Sequence, residues 1–207
     1  MFTVKRLNSK YAPALLEHLA RLDKQGLYDR FCVAANYEFI ERYVKQMNFT
    51  HSGIYGVFDQ NLALIGVGEC VVYSSKEEAE VAFSIELEHQ SKGLGNRLMK
   101  KLIQFAKAND INKINMYCLR TNSKSLHLAK KYGLNLTYER DEVSTTIGLP
   151  VTPVIFCQGY ELADEIIANI EIAQKTTSKL WKIQNSYNNL IKASFTRKPQ
   201  AEEETSS

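Results

Sequence analysis

Three features are missing from this 207-residue sequence, and each absence argues against a class of protein. The four cysteines are widely scattered and form no CxxC pair or Cys/His cluster with zinc-ligand spacing, so no metal site is predicted. No block of five like charges occurs and the net charge is only +3, which gives nucleic-acid binding little support. No uninterrupted apolar run approaches the length of a membrane span, so no membrane partner is expected.

The beginning of the chain and its cysteines indicate where the protein works. Residues 1–6 lack the apolar core of a signal peptide. Cys70 and Cys118 lie in apolar, strand-like runs, where buried free thiols are the simplest interpretation. We therefore expect a reduced, cytoplasmic setting.

The spacing of apolar residues predicts a chain of alternating α and β elements up to about residue 143. The predicted strands cover 2–7, 54–58, 62–73, 79–87, 113–119 and 136–143, and the predicted helices cover 11–22, 38–47, 94–108 and 123–132. Residues 26–31 are interpreted as a connector. This order predicts an α/β (α+β) fold with a mixed, mostly antiparallel central sheet flanked by helices and one right-handed βαβ unit.

A long helical pattern follows Pro150 and Pro153 and runs from 160 to 195. Its apolar residues recur at spacings of mostly three and four, which predicts one apolar stripe: Leu162, Ile166, Ile170, Ala173, Leu180, Ile183, Tyr187 and Leu190. The weak helix formers at 175–178 favour a break into two helices. The stripe either packs on the protein's own domain or contacts a second copy or partner. We thus expect a domain over 1–149, a helical extension over 150–196 and a disordered tail over 197–207.

A glycine-containing turn, Gln90-Ser91-Lys92-Gly93-Leu94-Gly95, joins a predicted strand to a predicted helix. Glycines let the backbone approach a ligand, and the free N–H groups and dipole of a helix start attract phosphate. A dinucleotide fingerprint needs a third glycine near Leu98, and a Walker loop needs Gly-Lys-Ser/Thr, which Gly95-Asn96-Arg97 does not supply. On these residues alone, an ordinary turn with glycines for packing stays open.

The pattern Gln-x-x-Gly-x-Gly resembles the acyl-CoA loop of the GNAT superfamily of N-acetyltransferases, and the order of elements over about 2–147 resembles the GNAT fold. This resemblance implies acetyl-CoA as the acyl-donor cosubstrate, without a metal. It also implies a primary amine as acceptor, either a small molecule or a protein lysine.

The resemblance further implies which residues hold the cofactor. The pantetheine arm would pair with strand backbone at Phe83, Ser84 and Ile85, and Asn122 would contact the arm, with Ser125 beside the adenosine-phosphate end. Asn122 also suits a helix N-cap, and both roles are compatible. Lys92, Arg97 or Lys100 would add positive charge. The diphosphate would be held by the turn, namely Gln90, Ser91, Lys92, Gly93, Leu94, Gly95 and Asn96.

Acetyl transfer to an amine needs a base, because an amine with a pKa of about 10.4 arrives protonated. Strand alternation places Glu80, Ala82, Ser84 and Glu86 on one face. An arm that follows five or six strand residues, at ~3.3 Å each, brings the thioester near Glu80. The resemblance implies that Glu80 is the base and that a backbone N–H near Phe83 polarises the thioester. Glu69 and Glu86 are rival carboxylates, and Glu80 as a solvated strand-end charge stays open.

Two features bear on the catalytic assignment. Many GNAT enzymes place a general-acid tyrosine where this chain has Ala129, and Tyr132 comes three positions later, so the acid is unassigned. Asp29-Arg30-Phe31 resembles an Arg-Phe element of bacterial GNAT-type protein-lysine acetyltransferases, although a capped loop with a buried Phe31 explains it equally. We expect direct attack by the amine. The alternative is a non-catalytic acyl-CoA-binding regulatory module.

Overall fold

The structure is a computed structural model that describes residues 2–73, 77–149 and 154–196. The predicted tail over 197–207 lies outside the described residues. The strands are β1 (Thr3–Arg6), β2 (Gly53–Phe58), β3 (Leu64–Val72), β4 (Glu78–Ile85), β5 (Lys113–Leu119), β6 (Asn135–Glu139) and β7 (Glu142–Gly148). The α-helices are α1 (Ala12–Ala20), α2 (Lys24–Phe31), α3 (Tyr37–Gln46), α4 (Leu94–Ala108), α5 (Ser123–Lys131) and α6 (Val154–Thr196).

The described strands form one seven-stranded sheet in the order β1-β2-β3-β4-β5-β7-β6. Adjacent strands of this sheet are antiparallel, except that β4 and β5 are parallel. This confirms the predicted mixed, mostly antiparallel sheet. Two apolar clusters cover it. One includes Leu98 and Leu102 of α4, and the other includes Leu15 of α1 and Ile40 of α3. The helices thus form layers that bury the sheet, as the apolar periodicity predicts.

Two parts of the predicted element order were wrong. Residues 26–31 belong to helix α2, which begins after Asp23, whose side chain accepts a hydrogen bond from the Gly26 N–H. Gly26 in the first turn and a low apolar content conceal this helix in the sequence. The single predicted strand over 136–143 is instead β6 and β7, joined by a tight turn in which Arg140 has a φ of 47°. Arginine rarely adopts this left-handed conformation, so the turn has no sequence signature.

The predicted break at 175–178 is also wrong, because α6 continues through it. The hydroxyls of Thr176 and Thr177 donate to the carbonyls of Ile172 and Ala173, at 2.9 and 3.0 Å, which satisfies them inside the helix. Helix α6 packs on α4 and β1. None of the described helices is long and apolar enough to cross a membrane. The cytoplasmic setting stays a prediction.

A gap between β4 and β5 is the feature that positions the site. The two strands pair over only three positions, from Glu78↔Lys113 to Glu80↔Asn115, and the rest of β4 faces β5 without pairing among the described residues. On the other side, the Glu86 N–H donates to the Ile65 carbonyl at 3.0 Å. Because antiparallel strands alternate their hydrogen-bonding direction, the N–H groups of Phe83 and Ile85 point away from β3 and into the gap.

Candidate active site

The gap opens into a cleft of ≈ 680 Å³ between the end of β4, the turn before α4 and the start of α5. Of the predicted cofactor-binding residues, Lys92 is exposed and does not line this cleft. Leu94 is buried in the core, so only its backbone faces the turn. The structure brings the other predicted cofactor-binding residues together there: Phe83, Ser84, Ile85, Gln90, Ser91, Gly93, Gly95, Asn96, Asn122 and Ser125.

The turn before α4 has the geometry of an anion site. Gly93 is the N-cap of α4 with a φ of 75°, and it supplies no side-chain hydrogen bond to the helix. Ser91 has a φ of 58°. The first N–H groups of α4 therefore have no side-chain acceptor from the N-cap, and the helix dipole adds partial positive charge at this end of the cleft. The arrangement suits a phosphate group.

Two amide side chains hold the walls of the cleft together. Gln90 donates from Nε2 to the Ile85 carbonyl at 2.9 Å, and its Oε1 accepts from Lys124 Nζ. Asn122 accepts from the Ser125 N–H at 3.0 Å and so caps α5. The capping role proposed for Asn122 and its position in the cleft therefore coexist.

The positive charge at the cleft comes from α5, which the sequence reasoning did not identify. Lys124, His127 and Lys131 line the cleft at spacings of three and four residues, which places them on one helix face. The spacing of these three side chains is the sequence signal that could have identified this helix face. Arg97, considered earlier for this purpose, instead donates to the Phe2 carbonyl at 2.9 Å.

Glu80 is half-buried at the closed end of the gap, where the pairing of β4 with β5 stops. Its Oε2 accepts a hydrogen bond from the Tyr73 hydroxyl at 3.1 Å. Burial raises the pKa of Tyr73, and the neighbouring Glu80 and Tyr117 raise it further, so this hydroxyl stays protonated and donates. No cation lies within ion-pair distance of Glu80 in the part of the chain that the structure describes.

The rival carboxylate Glu69 is buried and already binds two donors. Arg30 Nη2 lies 2.7 Å from its Oε2, and the Tyr43 hydroxyl donates to the same oxygen. Phe31 packs edge-on against Phe39 and Tyr43. Arg30 and Phe31 thus hold α2 against α3 and β3.

The rival carboxylate Glu86 belongs to a network that joins α1 to the end of β4. His18 Nδ1 lies 3.0 Å from Glu86 Oε1, and His18 Nε2 lies 2.9 Å from Ser84 Oγ. Arg21 Nη2 donates to Glu86 Oε1 at 2.8 Å. Although burial opposes it, hydrogen bonds from His18 and Arg21 lower the pKa of Glu86. Glu86 is therefore a charged acceptor, already occupied by two donors.

The protonation state of His18 follows from these contacts. Burial lowers the pKa of His18, which has no exposed surface, so the neutral ring is favoured. Because the Glu86 carboxylate only accepts, the proton is on Nδ1, and Nε2 accepts from the Ser84 hydroxyl. No pattern in the sequence indicates this network, because His18 is a single histidine on an apolar helix.

Acidification is expected to lower the free energy of unfolding below about pH 6.5. The pKa of His18 is lower in the folded protein than in the unfolded chain, so the unfolded chain binds the extra proton first. The lowered pKa of Glu86 acts in the same direction at more acidic pH. Each group contributes at most about 1.4 kcal/mol per pH unit.

Chemical denaturation between pH 7 and pH 5 measures this dependence. His18→Gln should flatten the slope near pH 6, whereas the matched change of the exposed His127→Gln should leave it as in the parent. An equal slope in all three proteins would contradict the role assigned to His18.

Tyr132, three positions after Ala129, is hydrogen-bonded to the start of α4. Its hydroxyl lies 2.9 Å from Asn96 Oδ1 and 3.2 Å from the Asn96 carbonyl, at the start of α4. Ala129 itself is buried in the core. Tyr132 therefore joins the end of α5 to the start of α4.

Comparison with known families agrees with this geometry. The profile of the Acetyltransferase (GNAT) family matches residues 11–134, which is more than half of the chain. The chain therefore belongs to the GNAT family of acetyltransferases.

Solved structures of this family share the fold at low identity. The GNAT domain of PAT from S. lividans is 18% identical, with a TM-score of 0.61 over 70% of this chain and 89% of that chain. A GNAT-family acetyltransferase from Streptococcus pneumoniae is 17% identical, with a TM-score of 0.57 over 72% of this chain and 100% of that chain. Spermidine N-acetyltransferase from Vibrio cholerae, solved with CoA and spermine, is 18% identical, with a TM-score of 0.57 over 71% of this chain and 95% of that chain.

Proposed function

We propose that this protein transfers an acetyl group from acetyl-CoA to a primary amine, by direct attack of the amine and with Glu80 as general base. The observation that carries the proposal is the gap between β4 and β5, which leads from the amides at the start of α4 to Glu80. The acceptor is a small-molecule amine or a protein lysine.

The residues of the cleft suit acetyl-CoA. The N–H groups of the turn before α4 would hold the diphosphate, and Lys124 and Lys131 would neutralise phosphate charge. The Phe83 and Ile85 backbone would pair with the amides of the arm. Bound acetyl-CoA supplies the thioester, whose carbonyl carbon is the electrophile.

Proton removal and oxyanion stabilisation are then the tasks of the chain's own residues. Glu80 takes a proton from the ammonium acceptor, directly or through water, while the Tyr73 hydroxyl holds the carboxylate in place. The Phe83 N–H donates to the developing oxyanion. The amine nitrogen bonds to the carbonyl carbon and gives its second proton to solvent. The carbon–sulfur bond breaks, and the departing thiolate takes a proton from solvent.

Negative charge near Glu80 supports a cationic acceptor. Burial raises the pKa of the Cys32 thiol, and the charges of Glu142, Asp29 and Glu80 raise it further, while the charge of Arg30 lowers it. Three carboxylates and one arginine therefore act on this thiol, and the carboxylates outnumber the arginine. A protonated amine approaching the thioester would be attracted there before it gives up its proton.

Incubation with acetyl-CoA and a panel of amines tests the proposal, with release of free thiol as the readout. The panel should contain polyamines and lysine peptides, because both present a primary ammonium group. We expect acceptor-dependent thiol release. Binding of CoA without thiol release over the whole panel would instead favour the regulatory module.

A further inference from the structure

One face of α6 carries an uninterrupted, uncharged heptad pattern and is exposed to solvent. Ile170, Leu180 and Tyr187 are 53%, 61% and 59% exposed. Trp181, Ile183 and Leu190 flank the pattern and are equally exposed. We call this the outer face of α6; its core positions alternate at four and three residues: Ile166, Ile170, Ala173, Thr177, Leu180, Gln184, Tyr187 and Ile191.

The opposite face of α6 holds the helix to its own domain. Ala168 is buried there, Asp164 pairs with Lys101, and Lys175 Nζ donates to the Asp59 carbonyl at 3.1 Å. The charged residues of 161–182 all lie at the heptad positions of this side, namely Glu161, Asp164, Glu165, Glu171, Lys175, Lys179 and Lys182. Within the described residues, the predicted apolar stripe therefore does not pack on the domain and is left uncovered.

We propose that the outer face of α6 binds the same face of a second copy of this chain, in antiparallel orientation. Uncharged core and flanking positions over 166–191 allow identical helices to meet without repulsion. The pairing spans about 38 Å at 1.5 Å per residue. It therefore covers nearly four heptads, which is long enough for a specific helix pair.

The orientation follows from register and charge. A two-fold axis between residues 178 and 179 pairs every core position with another: Ile166 with Ile191, Ile170 with Tyr187, Ala173 with Gln184, and Thr177 with Leu180. The first half of α6 is acidic, whereas 172–182 contains three lysines and no carboxylate. This basic segment contains the axis and meets itself in either orientation. Antiparallel pairing sets the four carboxylates of 161–171 beside 186–196, whose only charged residue is Lys192, whereas parallel pairing sets them beside the same four carboxylates.

A shallow groove marks the centre of this face. It has a volume of ≈ 640 Å³ and is lined by Ile170, Ala173, Thr177 and Trp181, among others. With the axis between 178 and 179, the part of each groove from Ile170 to Thr177 lies opposite 180–187 of the other copy. Each would receive apolar side chains from the other helix, which are otherwise exposed to water.

Analytical ultracentrifugation of the full chain at micromolar concentration tests the proposal. We expect twice the 23.6 kDa mass of one chain. Leu180→Glu should halve that mass, and Tyr187→Glu gives an independent disruption of the same face. Lys182→Glu, a charge change on the opposite face, should leave the dimer intact. Because these side chains are exposed, helix content and CoA binding should be unchanged in all variants.

The double variant Thr177→Lys with Leu180→Glu tests the orientation. Antiparallel pairing places each new lysine against a new glutamate, so the dimer should reappear. A monomeric double variant would overturn the antiparallel register. A monomeric parent chain, or one that instead binds anionic vesicles through α6, would overturn the proposal. None of these outcomes depends on acetyl transfer.

Discussion

Glu80→Gln is expected to reduce turnover of the amine acceptor by roughly 10²–10⁴-fold, because the variant cannot accept the ammonium proton. Glutamine keeps the size of the side chain and still accepts a hydrogen bond from Tyr73, so the cleft should keep its shape. The dissociation constant for CoA, measured by calorimetry, should therefore change little.

The pH profile separates a base from a structural residue. Without the base, turnover should rise about tenfold per pH unit towards the pKa of the free amine, near 10.4, because only the neutral fraction reacts. Glu78→Gln is the matched control, since Glu78 lies two residues away on the same strand face and pairs with Lys113. Equal turnover in Glu80→Gln and Glu78→Gln would remove the role assigned to Glu80.

Gly95→Asp is expected to weaken CoA binding at least tenfold, a loss of about 1.4 kcal/mol or more. Gly95 lines the cleft in the first turn of α4. A Cβ there would meet only Leu128 at 3.7 Å and Ile85 at 3.8 Å, which is ordinary contact, so the fold should tolerate the change. The new carboxylate, however, would lie next to the bound diphosphate, and two negative charges in contact repel each other strongly.

Gly95→Asn is the control for this experiment, because it adds a side chain of the same size without the charge. Calorimetry with CoA should give a larger loss for the aspartate than for the asparagine, and the difference should shrink at high salt. Undiminished CoA binding by Gly95→Asp would refute the diphosphate site at the start of α4.

The proposed dimer and the proposed chemistry occupy different parts of the molecule. The cleft is lined by residues from α2, β4, the turn before α4, α4 and α5, and none of its lining residues belongs to α6. Helix α6 contacts α4 and β1 instead. Acetyl transfer is therefore expected to survive the loss of self-association, and the two proposals can fail separately.

The sequence by itself determined most of the elements and the candidate cofactor turn. The alternation in β4 and the apolar period of α4 are local patterns, and each follows from the geometry of its own element. The helix-capping role of Asn122 could also be predicted from the local sequence, because its hydrogen-bond partner Ser125 is only three residues away. Local patterns missed α2 and the β6–β7 turn, where Gly26 and the left-handed Arg140 carry no clear signal.

Only the tertiary structure decided which carboxylates are already occupied. Glu69 meets Arg30 from 39 residues away, and Glu86 meets His18 from 68 residues away, so no spacing in the sequence could pair them. The structure likewise decided which side of α6 faces the domain. A helical period specifies that apolar residues share a face, but what covers that face depends on charges and surfaces contributed by distant segments.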